Sequence, residues 1–211
     1  LVITLGDRGH RPNGQDFKTH PGSIIRIGDD GRPVKGNPFS ESENPDLQKV
    51  FSWGHRNVQG IALHGETIWA VEHGPMGGCE LNLIRSGKNY GWADVTYGRN
   101  YVTGTKIGLG IESKEGIESP IYQWTPSNAP SSLMIYQNDI FPKWKDSFFV
   151  TSLTFDVITR LEFNGETIGS EERLLDGKYG RLRLVTTDSN GFIYVLTDGS
   201  NAKLLKIIPA M

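Results

Sequence analysis

Residues able to do chemistry are densest between Ser52 and Trp92 of this 211-residue chain. His55-Arg56-Asn57 precedes an apolar alternation from Ile61 to Val71, and Glu72-His73-Gly74-Pro75 follows at once. A glycine-rich loop then leads to Glu80 and to Asn89-Tyr90-Gly91-Trp92. Ca²⁺ prefers six to eight oxygen ligands, drawn from carboxylates and main-chain carbonyls, in flexible geometry. Pro75 offers a carbonyl but no N–H, and the GPMGG loop is open enough to aim several carbonyls at one point. Glu72 and Glu80 bracket that loop. The spacing fits a cation site, and it fits equally a glycine-rich connection with two solvated carboxylates. Arg56 and Asn57 place a guanidinium beside an amide, a pair suited to an anionic, quinone-like or carboxylate ligand and also common on plain surfaces. Arg181 and Arg183 alternate with Leu182 and Leu184, so both point to one strand face. Two cations there suit a shared anion or a solvated face. His55 and His73 flank the loaded stretch, and either has the chemistry of a general base. His10, His20 and His64 fall in loops or turns.

Composition narrows the class. Lys and Arg number 22 against 24 Asp and Glu, a net charge of −2 with no basic block, so nothing points to nucleic acid. No apolar run approaches the ~20 residues of a membrane span. The first residue is Leu, and no charged start precedes an apolar leader stretch. Cys79 is the single cysteine, which excludes an internal disulfide. G-x-S-x-G, paired Cys/His and phosphate-cradling motifs are all missing. With 26 Gly and 11 Pro, and few runs of helical period, the chain reads as many short strands joined by tight turns.

Those strands repeat. LVITLGDRG, TIWAVEHGP, SFFVTSLTF and FIYVLTDGS each run β-branched or aromatic and then break into polar residues or glycine. Each is followed by another strand: SIIRIGDDG, CELNLIRSG, DVITRLEFNGE and AKLLKII. Asp30-Gly31, Ser86-Gly87 and Asn164-Gly165 then give turn signals. DLQKVFSWG, SPIYQWT and SEERLLDG follow as third strands. QGIALHGE, SSLMIYQND and RLRLVTTDSNG lead the later units, at spacings of about 72 and 50 residues. A four-strand unit repeating at such periods predicts an all-β fold, a β-propeller, with Val95 to Glu118 inserted as a surface loop. In a propeller the polar breaks at Gly6-Asp7-Arg8, Glu72 to Pro75, Ser152-Leu153-Thr154 and Thr197-Asp198 face one shared mouth. The phase of the repeat predicts that residues 1–211 form one partial domain. It supplies about four blades, with about two more upstream.

In order along the chain, GDRG, GSIIRI, GHRNVQGIA, EHGP, GCELNLI, GKNYGW, SNAPSS, RLRLV and GFIYVLTD resemble the soluble aldose sugar dehydrogenases. These are the pyrroloquinoline quinone (PQQ) dependent enzymes related to soluble glucose dehydrogenase. The most specific part is EHGP-x4-E-x-N-L-x4-G-x-N-Y-G-W. The resemblance implies a six-bladed β-propeller. It implies that the carbonyls of Gly74 and Pro75 ligate the Ca²⁺ that holds PQQ, and that a second, structural Ca²⁺ sits around Glu80 and Tyr90. Arg56 and Asn57 would contact the quinone, and Arg181 and Arg183 its carboxylates. Ala129-Pro130-Ser131 would lie beside the cofactor, with Tyr122, Trp124 and Ser127 at the rim. No catalytic residue is expected within this chain, because the family's catalytic histidine falls upstream of Leu1. Thr154 stands near a place where the family often has lysine.

The implied activity is oxidation of an aldose at C1 to a lactone, with hydride passing to the quinone and then to an external electron acceptor. The implied setting is periplasmic or secreted, and a homodimer is compatible with the sequence. The alternative is a propeller without redox chemistry that serves as a Ca²⁺-stabilised carbohydrate- or protein-binding module. A Ca²⁺-dependent lactonase on the same scaffold would want an axial carboxylate cluster, for which Asp7, Glu72 and Asp198 are the candidates.

Overall fold

Short β-branched and aromatic runs bounded by glycine turns form fourteen strands among residues 1–209, the residues that this computed structural model describes. Ala210 and Met211, part of the expected domain, lie outside them. The strands are β1 (Val2–Leu5), β2 (Ser23–Arg26), β3 (Val50–Trp53), β4 (Val58–His64), β5 (Thr67–Glu72), β6 (Cys79–Ile84), β7 (Tyr122–Trp124), β8 (Pro130–Ile135), β9 (Phe148–Ser152), β10 (Ile158–Phe163), β11 (Ile168–Leu174), β12 (Leu182–Thr187), β13 (Ile193–Thr197) and β14 (Leu204–Ile207). They make four sheets, ordered β1-β2-β3, β4-β5-β6-β7, β8-β9-β10-β11 and β12-β13-β14. The expected grouping of strands into repeated units is the observed one. Two compact units arise: Leu1–Val58 with Glu72–Ser127, and Gln59–Val71 with the chain from Asn128 onward.

In the first unit β1 pairs antiparallel with β2 and β2 with β3, while Cys79 of β6 lies opposite Trp124 of β7. Ile24 and Val50 are fully buried. Between residues 95 and 118 only isolated bridges form, such as Val95 with Ile111 and Arg99 with Lys106, in keeping with an inserted loop. Several boundaries differ from expectation, and two of them have a local cause. Leu47–Lys49 form a 3₁₀ turn, so the strand expected from Asp46 starts at Val50. The strand expected from Ser170 already starts at Ile168. Asn164 Oδ1 accepts the N–H groups of Glu166 and Thr167, closing a tight turn that lets pairing resume at once.

The second unit packs Met134, Tyr136, Phe149, Ile158, Leu182, Val185, Ile193 and Val195 into one core. The buried Tyr136 hydroxyl is satisfied, donating to the Gly191 carbonyl at 2.9 Å and accepting from Phe141 N–H at 3.2 Å. A second knot sets Phe148, Trp69 and Phe163 mutually edge-on, with centroids 4.7, 5.3 and 5.2 Å apart. Such pairs add to the burial of apolar area. Because Phe148 is fully buried, Phe148→Ala should cost about 3–5 kcal/mol of unfolding free energy in denaturant titration. A loss below 1 kcal/mol would show that the aromatic knot is dispensable.

Candidate functional site

The first unit gathers its polar residues around one buried carboxylate. Glu72 ends β5 and is buried. Its Oε1 accepts from His55 Nδ1 at 3.0 Å and from Asn82 Nδ2 at 3.1 Å, and its Oε2 accepts from the Arg56 N–H at 2.8 Å. Burial alone would raise its pKa. The His55 charge and hydrogen bond, with the Arg56 and Asn57 N–H groups, outweigh burial and hold Glu72 below the usual carboxylate value. His55 Nε2 lies 2.9 Å from Ser52 Oγ. Serine, histidine and carboxylate thus follow the order of a hydrolytic triad. Ser52 and His55, however, are both fully buried, so no substrate reaches the serine. The arrangement works as a clamp.

Glu80 and Asn82 are two apart on β6, so both side chains stand on one face. Asn82 Nδ2 donates to Glu80 Oε2 at 3.0 Å as well as to Glu72, while Asn82 Oδ1 is buried without a partner. One amide therefore serves two carboxylates. Burial, and then the negative charge of Glu72, push Glu80 up to about 8. A proton or a cation at Glu80 relieves that conflict.

Glu72 and Glu80 line a small cavity together with Arg56, Gly74, Tyr90 and Trp92. Its volume is about 10 Å³, roughly the space of one water-sized sphere. Gly74 must be glycine, since a Cβ there would lie 2.1 Å from the Gly78 carbonyl oxygen. The Tyr90 ring stacks on His55 at 4.6 Å. Its hydroxyl is committed, donating to the Leu83 carbonyl at 2.6 Å and accepting from Arg85 N–H at 2.8 Å, and burial pushes its pKa upward.

Arg56 donates to the His73 carbonyl at 3.1 Å and sits 5.4 Å from the centre of the Trp92 ring. Trp92 Nε1 in turn donates to the buried carboxylate of Asp7 at 2.7 Å. The Asn57 carbonyl accepts from His73 N–H at 3.1 Å. Pro75 is not among the residues lining the cavity, and its carbonyl accepts from Arg99 N–H at 2.9 Å. Ser127 is tied back by its N–H to the Met76 carbonyl and lies 2.9 Å from Cys79 Sγ. The structure thus brings Arg56, Gly74, Glu80 and Tyr90 to one cavity and leaves Pro75 outside its lining.

In the second unit, Arg181 Nε and Arg183 donate to the same Asp198 oxygen, at 3.2 and 2.7 Å. They share a face, as their alternation predicts. The Arg183 and Arg181 hydrogen bonds hold Asp198 below its usual pKa. Ala129 takes a left-handed conformation, φ 48°, and its carbonyl accepts from Leu153 N–H at 3.1 Å. Pro130 opposes Ser152 across the strand pair. Thr154 N–H donates to Ser152 Oγ at 3.2 Å. The Asn128 amide is buried with neither polar atom partnered.

Sequence reasoning missed the roles of Asn82, Asp7 and Trp92. The period-2 relation of Glu80 to Asn82 was a signal available in advance, whereas nothing local marks Asp7 as a partner of Trp92, 85 residues away. Among the described residues no group of three or more His, Cys, Asp or Glu is placed to hold a metal. A cation here would depend on carbonyl and amide oxygens beside the two glutamates.

The glucose/sorbosone dehydrogenase family model matches residues 1–206, and the chain belongs to that family. It is 37% identical to the aldose sugar dehydrogenase YliI of Escherichia coli K12 over 99% of this chain and 57% of that protein. It is 26% identical to quinoprotein glucose dehydrogenase B of Acinetobacter calcoaceticus over 94% of this chain and 56% of that one. The chain therefore spans somewhat over half the length of these relatives. The soluble aldose sugar dehydrogenase of Escherichia coli, solved in its apo form, matches with a TM-score of 0.91 and 37% identity over 98% of this chain and 60% of that one. The PQQ-bound aldose sugar dehydrogenase of Streptomyces coelicolor matches with a TM-score of 0.77 and 28% identity over 98% and 57%. The four antiparallel sheets are part of the β-propeller of this family's fold.

The raised pKa of Glu80 has a signed consequence. Its folded value, about 8, exceeds the ordinary 4.5, so the folded state keeps a proton that the unfolded state releases. Stability in chelator should then fall as pH rises from about 4.5 to about 8. Glu80→Gln should flatten that slope in thermal melts. Equal slopes for the two proteins would refute the buried, proton-holding glutamate.

Proposed function

We propose that the full-length protein oxidises aldose sugars at C1 to lactones, using PQQ and Ca²⁺ and passing electrons to an external acceptor. The observation that carries this reading is the oxygen-rich cavity beside Arg56. Glu72 and Glu80 line it and share the Asn82 amide, whose Oδ1 is buried unpaired outside the lining, and Gly74 in the lining admits no side chain. Hard oxygen donors around an ion-sized space fit Ca²⁺.

Glu80 and the Tyr90 carbonyl would hold one Ca²⁺, and the Gly74 and Pro75 carbonyls the one that accompanies PQQ. A carbonyl has two lone pairs, so Pro75 can serve Arg99 and a metal at once. The chemistry supplied on binding is hydride acceptance by the quinone and Lewis-acid polarisation by Ca²⁺. Arg56 and Asn57 would orient the quinone edge, with the Arg56 guanidinium steadied by the His73 carbonyl and the Trp92 ring. Arg181 and Arg183 would draw in its carboxylates, while Ser127, Ala129 and Pro130 would flank it. The sugar's C1 hydroxyl proton would go to a histidine supplied by the full-length protein outside this chain. A periplasmic or secreted setting and a homodimer belong to the same proposal.

One observation favours a second reading. Asp198 already occupies Arg181 and Arg183, and Thr154 adds no cation. On that view the propeller binds carbohydrate or protein without redox chemistry.

Dye-linked oxidation of glucose and other aldoses by the full-length protein, with PQQ and Ca²⁺ added, decides between the two. PQQ-dependent turnover is expected. Its absence on every aldose would end the redox reading. For the cation itself, Glu80→Ala should lower the melting temperature in Ca²⁺ far more than in chelator, since a ligand specific to the native state stabilises by mass action. An equal loss in both would count against Ca²⁺ at Glu80.

A further inference from the structure

The chain holds three asparagine–glycine steps, Asn13-Gly14, Asn164-Gly165 and Asn190-Gly191. Such a step can rearrange covalently, because glycine leaves its main-chain nitrogen unshielded beside the asparagine amide carbon. The three differ in what the fold does to the attacking nitrogen and to the carbon it would attack. Gly191 is buried, and its N–H is committed to the Asp188 carbonyl at 3.0 Å. Gly14 is buried so tightly that a Cβ would lie 2.2 Å from the Trp92 carbonyl oxygen. The Asn13 side chain is held at both ends: Nδ2 donates to the Asp7 carbonyl at 2.9 Å, and Oδ1 lies 3.3 Å from His10 Nδ1. Closing a ring at either site would break these contacts.

At Asn164-Gly165 nothing stands in the way. Both residues are exposed at the turn between β10 and β11, and no atom lies within 4 Å of where a Gly165 Cβ would stand. The Gly165 N–H donates to no group among the described residues. Asn164 Oδ1 accepts the Glu166 N–H at 3.0 Å and the Thr167 N–H at 2.8 Å. Two donors on one carbonyl oxygen draw charge from its carbon and stabilise the oxyanion that forms when a nucleophile adds. Asn164 Nδ2, the group that must leave, donates to Thr167 Oγ1 at 3.1 Å, and that hydroxyl lies 3.5 Å from Oδ1. Thr167 is thus placed to pass a proton to the departing nitrogen. The contacts that close the turn also activate the amide that makes them.

We infer that Asn164 is a site of self-modification. The Gly165 nitrogen loses its proton to water and bonds to Cγ of Asn164. The Cγ–Nδ2 bond then breaks, ammonia leaves, and a cyclic imide remains. Water opens the imide at either carbonyl, giving aspartate or isoaspartate at this position. Overall, water is consumed and ammonia released. The step needs neither quinone nor calcium, so it proceeds whether or not the redox reading holds. The product carboxylate joins Glu162 and Glu166 at the turn. Aspartate keeps both accepted hydrogen bonds, which become charge-assisted. Isoaspartate lengthens the main chain by a methylene, so the pairing of Phe163 with Ile168 that closes the hairpin is lost. The exposed edge strand β11 then frays.

The test incubates the full-length protein in mildly alkaline buffer, folded and in urea, and follows each asparagine by peptide mapping with mass spectrometry. In the folded protein Asn164 should convert about tenfold faster than Asn13 or Asn190, whereas in urea the three rates should agree within about threefold. Thr167→Val removes an exposed hydroxyl and should fold. It should slow conversion at Asn164 about tenfold, less than an enclosed proton donor would supply, and leave the other two sites unchanged. Hydrogen exchange over Ile168–Leu174 should be faster in the isoaspartate fraction and unchanged in Asn164→Asp. Conversion of Asn13 or Asn190 in the folded protein at the rate of Asn164 would overturn the inference. So would slower conversion of Asn164 in the folded protein than in urea, or an unaltered rate in Thr167→Val.

Discussion

A buried carboxylate is tolerable only when its charge is met by hydrogen bonds and a counter-charge, and in this chain Glu72 imposes that constraint. Its two oxygens draw in His55 and the Arg56 main chain from the turn between β3 and β4, and Asn82 from β6. Three neighbouring segments of the chain, within residues 55–82, are pinned to one point. Ser52 and the stacked Tyr90 ring then hold His55 on its remaining sides.

From that point the proposed chemistry follows in short steps. With the Arg56 N–H committed to Glu72, its guanidinium is directed toward the His73 carbonyl and Trp92. Asn82 cannot neutralise two glutamates at once, so Glu80 is left needing a proton or a cation. The backbone beyond Glu72 turns through glycines that no side chain could replace, at Gly74 and Gly78, and both line the cavity with the carboxylates. Arg56 and the two glutamates thus line one cavity. Under the proposed function, the guanidinium would face an anionic redox cofactor and the carboxylates a divalent metal.

Much of this was legible in the sequence. Strand repetition and the Asp30-Gly31 and Asn164-Gly165 turns lead to the observed sheets, because period and turn chemistry act locally. The alternation of Arg181 and Arg183 foretells a shared partner for the same reason. What was not legible is long-range. Asp198 as that partner, Asp7 under Trp92, and Arg11 against the 95–118 loop are pairings between residues whose local patterns carry no hint of each other. His55 shows a further gap: its type suggested a base, and only its complete burial reveals a clamp. At Leu47–Lys49, hydrophobic alternation was outweighed by a 3₁₀ turn.

The proposed function requires that the full-length protein receive the quinone. Calorimetric titration with PQQ, in excess Ca²⁺ and again in chelator, tests this most directly. Saturable binding at about one PQQ per chain in Ca²⁺, much weakened by chelator, is the expected result. No heat of binding in either condition would contradict the account and leave a propeller whose oxygen-lined cavity serves stability alone.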